Sequence, residues 1–66
     1  MKRYHVFGQY PDGLTSTRVH EESFDTLLGA KAYANFQRNM IDDKKIKIVI
    51  QEYFEKENAF DTVEEL

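Results

Sequence analysis

The strand-like segments of this sequence carry more apolar surface than its one long helix can cover. Side chains alternate between the two faces of a strand. Residues 45–54 place Ile46, Ile48 and Ile50 on one face and Val49 and Tyr53 on the other. Residues 3–10 repeat the pattern, with Tyr4, Val6 and Tyr10 opposed to His5 and Phe7. Because one helix covers one face of a small sheet, the other face must meet water or a partner.

The length of the chain makes association more plausible still. A domain of 66 residues buries only about 60% of its unfolded surface, and such domains often need disulfides, a metal ion or oligomerisation. The sequence has no cysteine and two histidines, so disulfides are excluded and a structural zinc site is not expected. Partner binding, including a homodimer, is the expected supplement.

Charge is divided unevenly along the chain. Residues 1–47 carry eight Lys/Arg and six acids, whereas residues 48–66 carry one Lys and six acids. These counts give +2 and −5, which sum to the net charge of −3. The acidic second part argues against a simple nucleic-acid-binding protein, whose footprint is basic. No apolar run reaches about 18 residues, and the first residues lack the features of a signal peptide, so a cytoplasmic protein is expected.

The residue pattern predicts an α+β domain over residues 1–66 with the order ββαβ. The strands are expected at Arg3 to Tyr10, Leu14 to Glu22 and Lys45 to Phe54, with the helix at Leu27 to Ile41. A right-handed crossover then gives a three-stranded antiparallel sheet of order 2-1-3 with the helix on one face. Residues 57–66 are expected to form a short acidic C-terminal helix or a tail, since Thr62 and Glu65 have capping-box spacing.

The first two strands are joined by Pro11-Asp12-Gly13, which is a strong turn sequence. Two registers stay open, because a three-residue loop pairs Tyr10 with Leu14 and a two-residue turn pairs Pro11 with Leu14. The two choices send Val19 to opposite faces, since a slip of one residue inverts every side chain.

The helix is expected to begin after an N-cap at Asp25 or Thr26, whose side chains accept bonds from free amides. Its apolar residues collect on one half of the helical wheel: Leu27, Ala30, Tyr33, Ala34, Phe36, Met40 and Ile41. Lys31, Asn35, Arg38 and Asn39 lie opposite. The predicted core contains Val6, Leu27, Ala30, Tyr33, Ala34, Met40, Ile41, Ile46, Ile48, Ile50 and Phe54.

The sequence contains no motif for catalysis, metal binding or a cofactor. His5 and His20 have no third ligand or nucleophile placed beside them by spacing. The acid pairs Glu21-Glu22 and Asp42-Asp43 lie beside the ends of elements, where charged loops are common. We therefore predict a protein that is not an enzyme and has no cofactor.

The candidate sites are surfaces for binding. The residues predicted to bind a partner protein are Phe7, Val49, Tyr53, Glu52, Glu55, Glu57, Glu64 and Glu65. The alternative is a nucleic-acid-binding face that uses Lys44, Lys45 and Lys47 beside Phe7 and Tyr53. A third possibility is that Phe60 and Val63 cover the second face of the sheet and that the acids only solvate the chain.

The sequence Ile-Asp-Asp-Lys-Lys at 41–45 follows an amphipathic helix, and a hairpin that opens with Val6-Phe7 precedes it. In these five residues and in the order of elements, the chain resembles the small antitoxin of T-even-type bacteriophages called discriminator of mRNA degradation. It departs from that family in its Pro-Asp-Gly turn and in the acidic end after Ile50. The resemblance implies a phage protein that binds and neutralises a host RNA-cleaving toxin, with acids competing for a basic RNA-binding groove.

Overall fold

In the part of the chain that the structure describes, the protein folds as a four-stranded antiparallel sheet with one helix across one face. The computed structural model describes residues 2–10 and 18–66. Its elements are β1 Tyr4–Gln9, β2 Arg18–Phe24, α1 Leu27–Met40, β3 Lys47–Phe54 and β4 Ala59–Glu65. The strand order is β2-β1-β3-β4, and each neighbouring pair is antiparallel. The α+β class and the 2-1-3 part of the order are confirmed, but the sheet has four strands rather than three.

The fourth strand takes the place of the helical turn or tail expected near the end of the sequence. β4 pairs with β3 over its whole length, from Phe54 opposite Ala59 to Val49 opposite Glu65. Asn58 allows the tight turn between them, because its φ of 50° lies in the left-handed region that Asn tolerates better than most residues. A helical turn this short is unstable alone, whereas a strand gains ladder bonds and cross-strand contacts.

The described residue pairs of the first hairpin match neither of the two predicted registers. Those registers would place Gly8 opposite Ser16 or Thr17, but Gly8 pairs with Val19. Val19 therefore lies on the face of the sheet that α1 covers. The predicted turn, Pro11-Asp12-Gly13, lies outside the described residues.

The core lies between α1 and the sheet. Its buried members are Val6, Ala30, Ala34, Ile46, Ile48 and Ile50, all of them predicted. Leu27, Tyr33 and Ile41 are partly buried against this cluster. Two predictions are wrong: Met40 is 66% exposed and Phe54 lies outside the cluster. At about 100° per residue, Met40 is rotated by about 120° from Ala34, which faces the sheet.

Thr26 is the N-cap of α1, which confirms one of the two residues predicted for this position. Its hydroxyl accepts a hydrogen bond from the amide of Gly29 at 3.1 Å. At the other end, Ile41 has an extended backbone and its amide donates to the carbonyl of Gln37 at 2.9 Å. The helix therefore ends without glycine.

Arg38 holds the segment that follows the helix. Its Nη1 donates to the carbonyls of Ile46 at 2.7 Å and Leu66 at 3.2 Å. Its Nη2 donates to the carbonyls of Ile41 and Asp43, both at 3.2 Å. One guanidinium thus joins the end of α1, the start of β3 and the residue after β4. The helical wheel placed Arg38 on the solvated side, whereas the structure uses it as a bridge.

Gly8 leaves no room for a side chain where β1 meets β2 and the core. A Cβ atom on this residue would lie 3.0 Å from Cγ2 of Val19 and 3.2 Å from Cγ2 of Ile46.

Both neighbours are β-branched and therefore stiff, so we expect Gly8→Ala to destabilise the protein by about 1–3 kcal/mol. Denaturant unfolding measures this, with Gly29→Ala as the control. In that control a gain of up to about 1 kcal/mol in helix propensity offsets a 3.2 Å contact with Oγ1 of Thr26. A Gly8→Ala protein as stable as the native one would contradict the close approach.

Candidate protein-binding surface

The face of the sheet turned away from α1 carries a second set of apolar and aromatic residues. Val6, Ile48 and Ile50 face the helix. Their chain neighbours, such as Phe7 and Val49, face the opposite way, and so do the residues paired with those neighbours. We call this the open face; its larger side chains are His5, Phe7, Val49, Tyr53 and Phe60.

Phe7 and Val49 are buried although they lie on the open face. Phe7 is 1% exposed and Val49 is 4% exposed. The guanidinium of Arg18 lies over the Phe7 ring at 4.0 Å from its centroid, and Val49 lies between Phe7 and Glu65 on the neighbouring strands. Neither side chain presents free surface, and their contact with a partner stays a prediction.

The accessible part of the open face is an aromatic cluster of His5, Tyr53 and Phe60. The Phe60 ring lies 4.9 Å from that of Tyr53 and stands edge-to-face against His5 at 5.3 Å, measured between centroids. Phe60 is 50% exposed, and the Tyr53 hydroxyl donates to Oδ1 of Asn58 at 2.8 Å. Phe60 therefore covers part of Tyr53, as predicted, while Phe60 itself stays half-exposed and available for contact.

The His5 ring is held on two sides. Its Nδ1 lies 3.0 Å from the Ser23 hydroxyl, and the ring packs on Phe60. Its Nε2 is buried and has no hydrogen-bond partner among the described residues. A hydroxyl beside an imidazole becomes a catalytic pair when a third group orients the ring, and the described residues supply none to Nε2. Residues 2–10 and 18–66 also contain no group of three or more acids or histidines arranged to hold a metal ion.

The hairpin formed by β3 and β4 concentrates the negative charge of the chain. We call residues 48–66, with six acids and one Lys, the acidic hairpin; Lys47, the first residue of β3, directly precedes it. Glu55 and Glu57 are exposed in its turn, and Glu65 is exposed at the end of β4. Asp61, which is not among the predicted partner-binding residues, is exposed midway along β4.

Two of the predicted acids are less accessible than the others. Glu52 forms an ion pair with Arg3 and its side chain is 17% exposed. Glu64 is half-buried on the helix side of the sheet, opposite Ile50. The free acids therefore follow the turn and the outer strand, which is an edge of the sheet.

The predicted nucleic-acid lysines are exposed, but they lie apart from Tyr53, and Phe7 near them is buried. Lys44 and Lys45 are in the connection before β3, and Lys47 begins that strand. Tyr53 lies six residues further along β3, a separation of about 20 Å. Phe7 is close to Lys47 in register but buried. The exposed ring nearest to these lysines in register is Tyr10, which is 38% exposed and follows Gln9, the partner of Lys47.

The outer side of α1 carries an apolar row that the sequence analysis did not find. Leu28, Phe36 and Met40 are 81%, 56% and 66% exposed, and Ala32 lies exposed between Leu28 and Phe36. These four residues recur at every fourth position, which forms one ridge along a helix. We call them the outer ridge. The sequence already contains this spacing, but the helical wheel grouped Phe36 and Met40 with the residues that face the sheet.

Comparisons of the chain with protein-family models, curated proteins and solved structures gave no match. Within the part of the chain that the structure describes, no helix is both long and apolar enough to cross a membrane. What the surface can do is therefore inferred from its own side chains.

Proposed function

We propose that this chain is a small non-catalytic protein whose acidic hairpin binds a basic surface of another protein. The observation that carries the proposal is the net charge of −5 that residues 48–66 place on one hairpin, beside the half-exposed ring of Phe60. Clustered charge of one sign steers a partner of the opposite sign during encounter. An aromatic side chain next to it supplies the apolar contact that stabilises the bound complex.

The resemblance to the phage antitoxin suggests which partner this would be. A host toxin that cleaves RNA must have a basic groove, because phosphate contacts dominate RNA affinity. In our proposal the acidic hairpin occupies that groove and competes with RNA. Glu55 and Glu57 supply charge near Tyr53 and Phe60, and Glu65 supplies it at the other end of β4. Inhibition of this kind needs occupancy and no catalytic residue, and it takes place in the host cytoplasm.

Affinity capture tests this function directly. The tagged protein is incubated with lysate of its bacterial host, with and without nuclease, and the retained material is identified by mass spectrometry. We expect a protein with a basic surface that is retained after nuclease treatment. Recovery of nucleic acid that disappears after nuclease treatment would instead favour the face containing Lys44, Lys45 and Lys47. Failure to retain any protein would count against the proposal.

A further inference from the structure

The outer ridge of α1 has no function in the proposal above, and it is the largest exposed apolar feature among the described residues. Three of the exposed large hydrophobic side chains, Leu28, Phe36 and Met40, lie on it. Together they expose on the order of 400 Å² of apolar surface, the size of the largest patch on a typical monomer. Patches of this size are often functional.

The charges beside the ridge suit a second copy of the same chain. The chain is 32% charged, yet the side chains that flank the ridge on one side are Lys31, Asn35 and Asn39. Only one of these carries a charge, and Arg38 is engaged with main-chain carbonyls. Depletion of charge is typical of the centre of an interface. Two copies that meet here avoid the repulsion that their acidic hairpins would produce.

The order of large and small side chains on the ridge is self-complementary. A two-fold axis that crosses the helix midway between Ala32 and Phe36 reverses the helix direction. It brings Phe36 onto Ala32 of the second copy, and Leu28 towards Met40 of the second copy. A large side chain then meets a small one at the centre, as close packing requires. Isologous contacts of this kind produce the commonest symmetric dimer.

We propose that the protein forms a homodimer through antiparallel contact of the outer ridges of α1. Two ridges bury on the order of 800 Å², which is below the roughly 1,200 Å² of stable complexes and corresponds to a weak dimer. The inference is independent of the partner of the acidic hairpin, because the two surfaces lie on different elements.

Sedimentation velocity on the full chain tests the dimer, over concentrations from roughly 10 µM to 1 mM, which span weak association. We expect the sedimentation coefficient to rise with concentration for the native protein. Phe36→Ser should hold the protein as a monomer across this range. Val63→Ser is the matched control, since Val63 is 41% exposed on β4 and its loss should leave the dimer unchanged. A native protein that remains monomeric throughout overturns the proposal.

A pair of substitutions tests the antiparallel geometry itself. Ala32→Phe alone places two large rings against each other and should weaken the dimer, and Phe36→Ala should weaken it by removing the anchor. The double variant Ala32→Phe/Phe36→Ala restores one large and one small residue at each contact, so it should recover dimerisation. Circular dichroism confirms that each variant is folded. Single variants that dissociate without recovery in the double variant would overturn the two-fold pairing.

Discussion

Ile50→Ala is expected to lower the free energy of unfolding by about 2–5 kcal/mol. Ile50 is fully buried on the helix side of β3, opposite Val6 on β1. Removing its three outer carbon atoms loses transfer free energy and leaves a cavity that two strands and a helix cannot fill. A chain of 66 residues has a total stability of roughly 3–10 kcal/mol, so the loss is a large fraction of the whole.

Two controls separate the cavity from general sensitivity to substitution. Ile50→Val removes one carbon and should cost about 0.5–1.5 kcal/mol. Met40→Ala removes three heavy atoms, as Ile50→Ala does, but from a residue that is 66% exposed, and it should change stability by less than about 0.5 kcal/mol in the monomer. Denaturant unfolding at low protein concentration measures all three. Equal losses for Ile50→Ala and Met40→Ala would contradict the location of the core.

Arg38→Ala is expected to lower the free energy of unfolding by about 2–4 kcal/mol. The carbonyl groups that Arg38 binds lie in a partly buried position and would lose their charged donor. The four bonds of Arg38 reach Ile41, Asp43, Ile46 and Leu66. Loss of the guanidinium therefore loosens the helix end and the contact with Leu66 together. Denaturant unfolding gives the energy, and faster amide exchange at Ile48 and Leu66, whose backbones bond to each other, reports where the loosening occurs.

Two control substitutions distinguish the loss of the several N–H donors of Arg38 from the loss of its positive charge. Arg38→Lys keeps the charge, but a single ammonium group cannot bridge carbonyls on both sides. Arg38→Lys should therefore recover less than half of the unfolding free energy that Arg38→Ala loses. Lys31→Ala removes a positive charge from an exposed site on the same helix and should change stability by less than about 0.5 kcal/mol. If Arg38→Lys were as stable as the native protein, the bridge would not be the cause.

Strong local signals explain what could be predicted of the fold. The β-branched run around Ile48 and the small residues Ala30 and Ala34 identified β3 and the helix face that packs on it. The fourth strand was missed because Thr62 and Glu65 have the spacing of a helix cap, and a local pattern does not show that β3 offers a free edge to pair with. The hairpin register failed for a similar reason, since turn rules do not include the contact of Gly8 with Val19 and Ile46.

The candidate surface was predicted only in part. Alternation placed Phe7, Val49 and Tyr53 on the second face, but it cannot reveal that Arg18 from another strand lies over Phe7. Charge counting located the acidic end of the chain without showing that Glu52 is paired with Arg3. The outer ridge escaped because apolar residues cover more than half of the helical wheel, and only packing decides which of them face the sheet.

The most direct test of the proposed function compares two sets of neutralised acids for binding to the captured partner protein. The variant Glu55→Gln/Glu57→Gln/Glu65→Gln removes three exposed charges from the acidic hairpin, and Glu22→Gln/Asp25→Asn/Asp42→Asn removes three exposed charges elsewhere. Isothermal titration calorimetry should show affinity reduced by at least about tenfold, or about 1.4 kcal/mol, for the hairpin variant, and little change for the matched one. Equal losses for the two variants, or no loss for either, would contradict recognition by the hairpin.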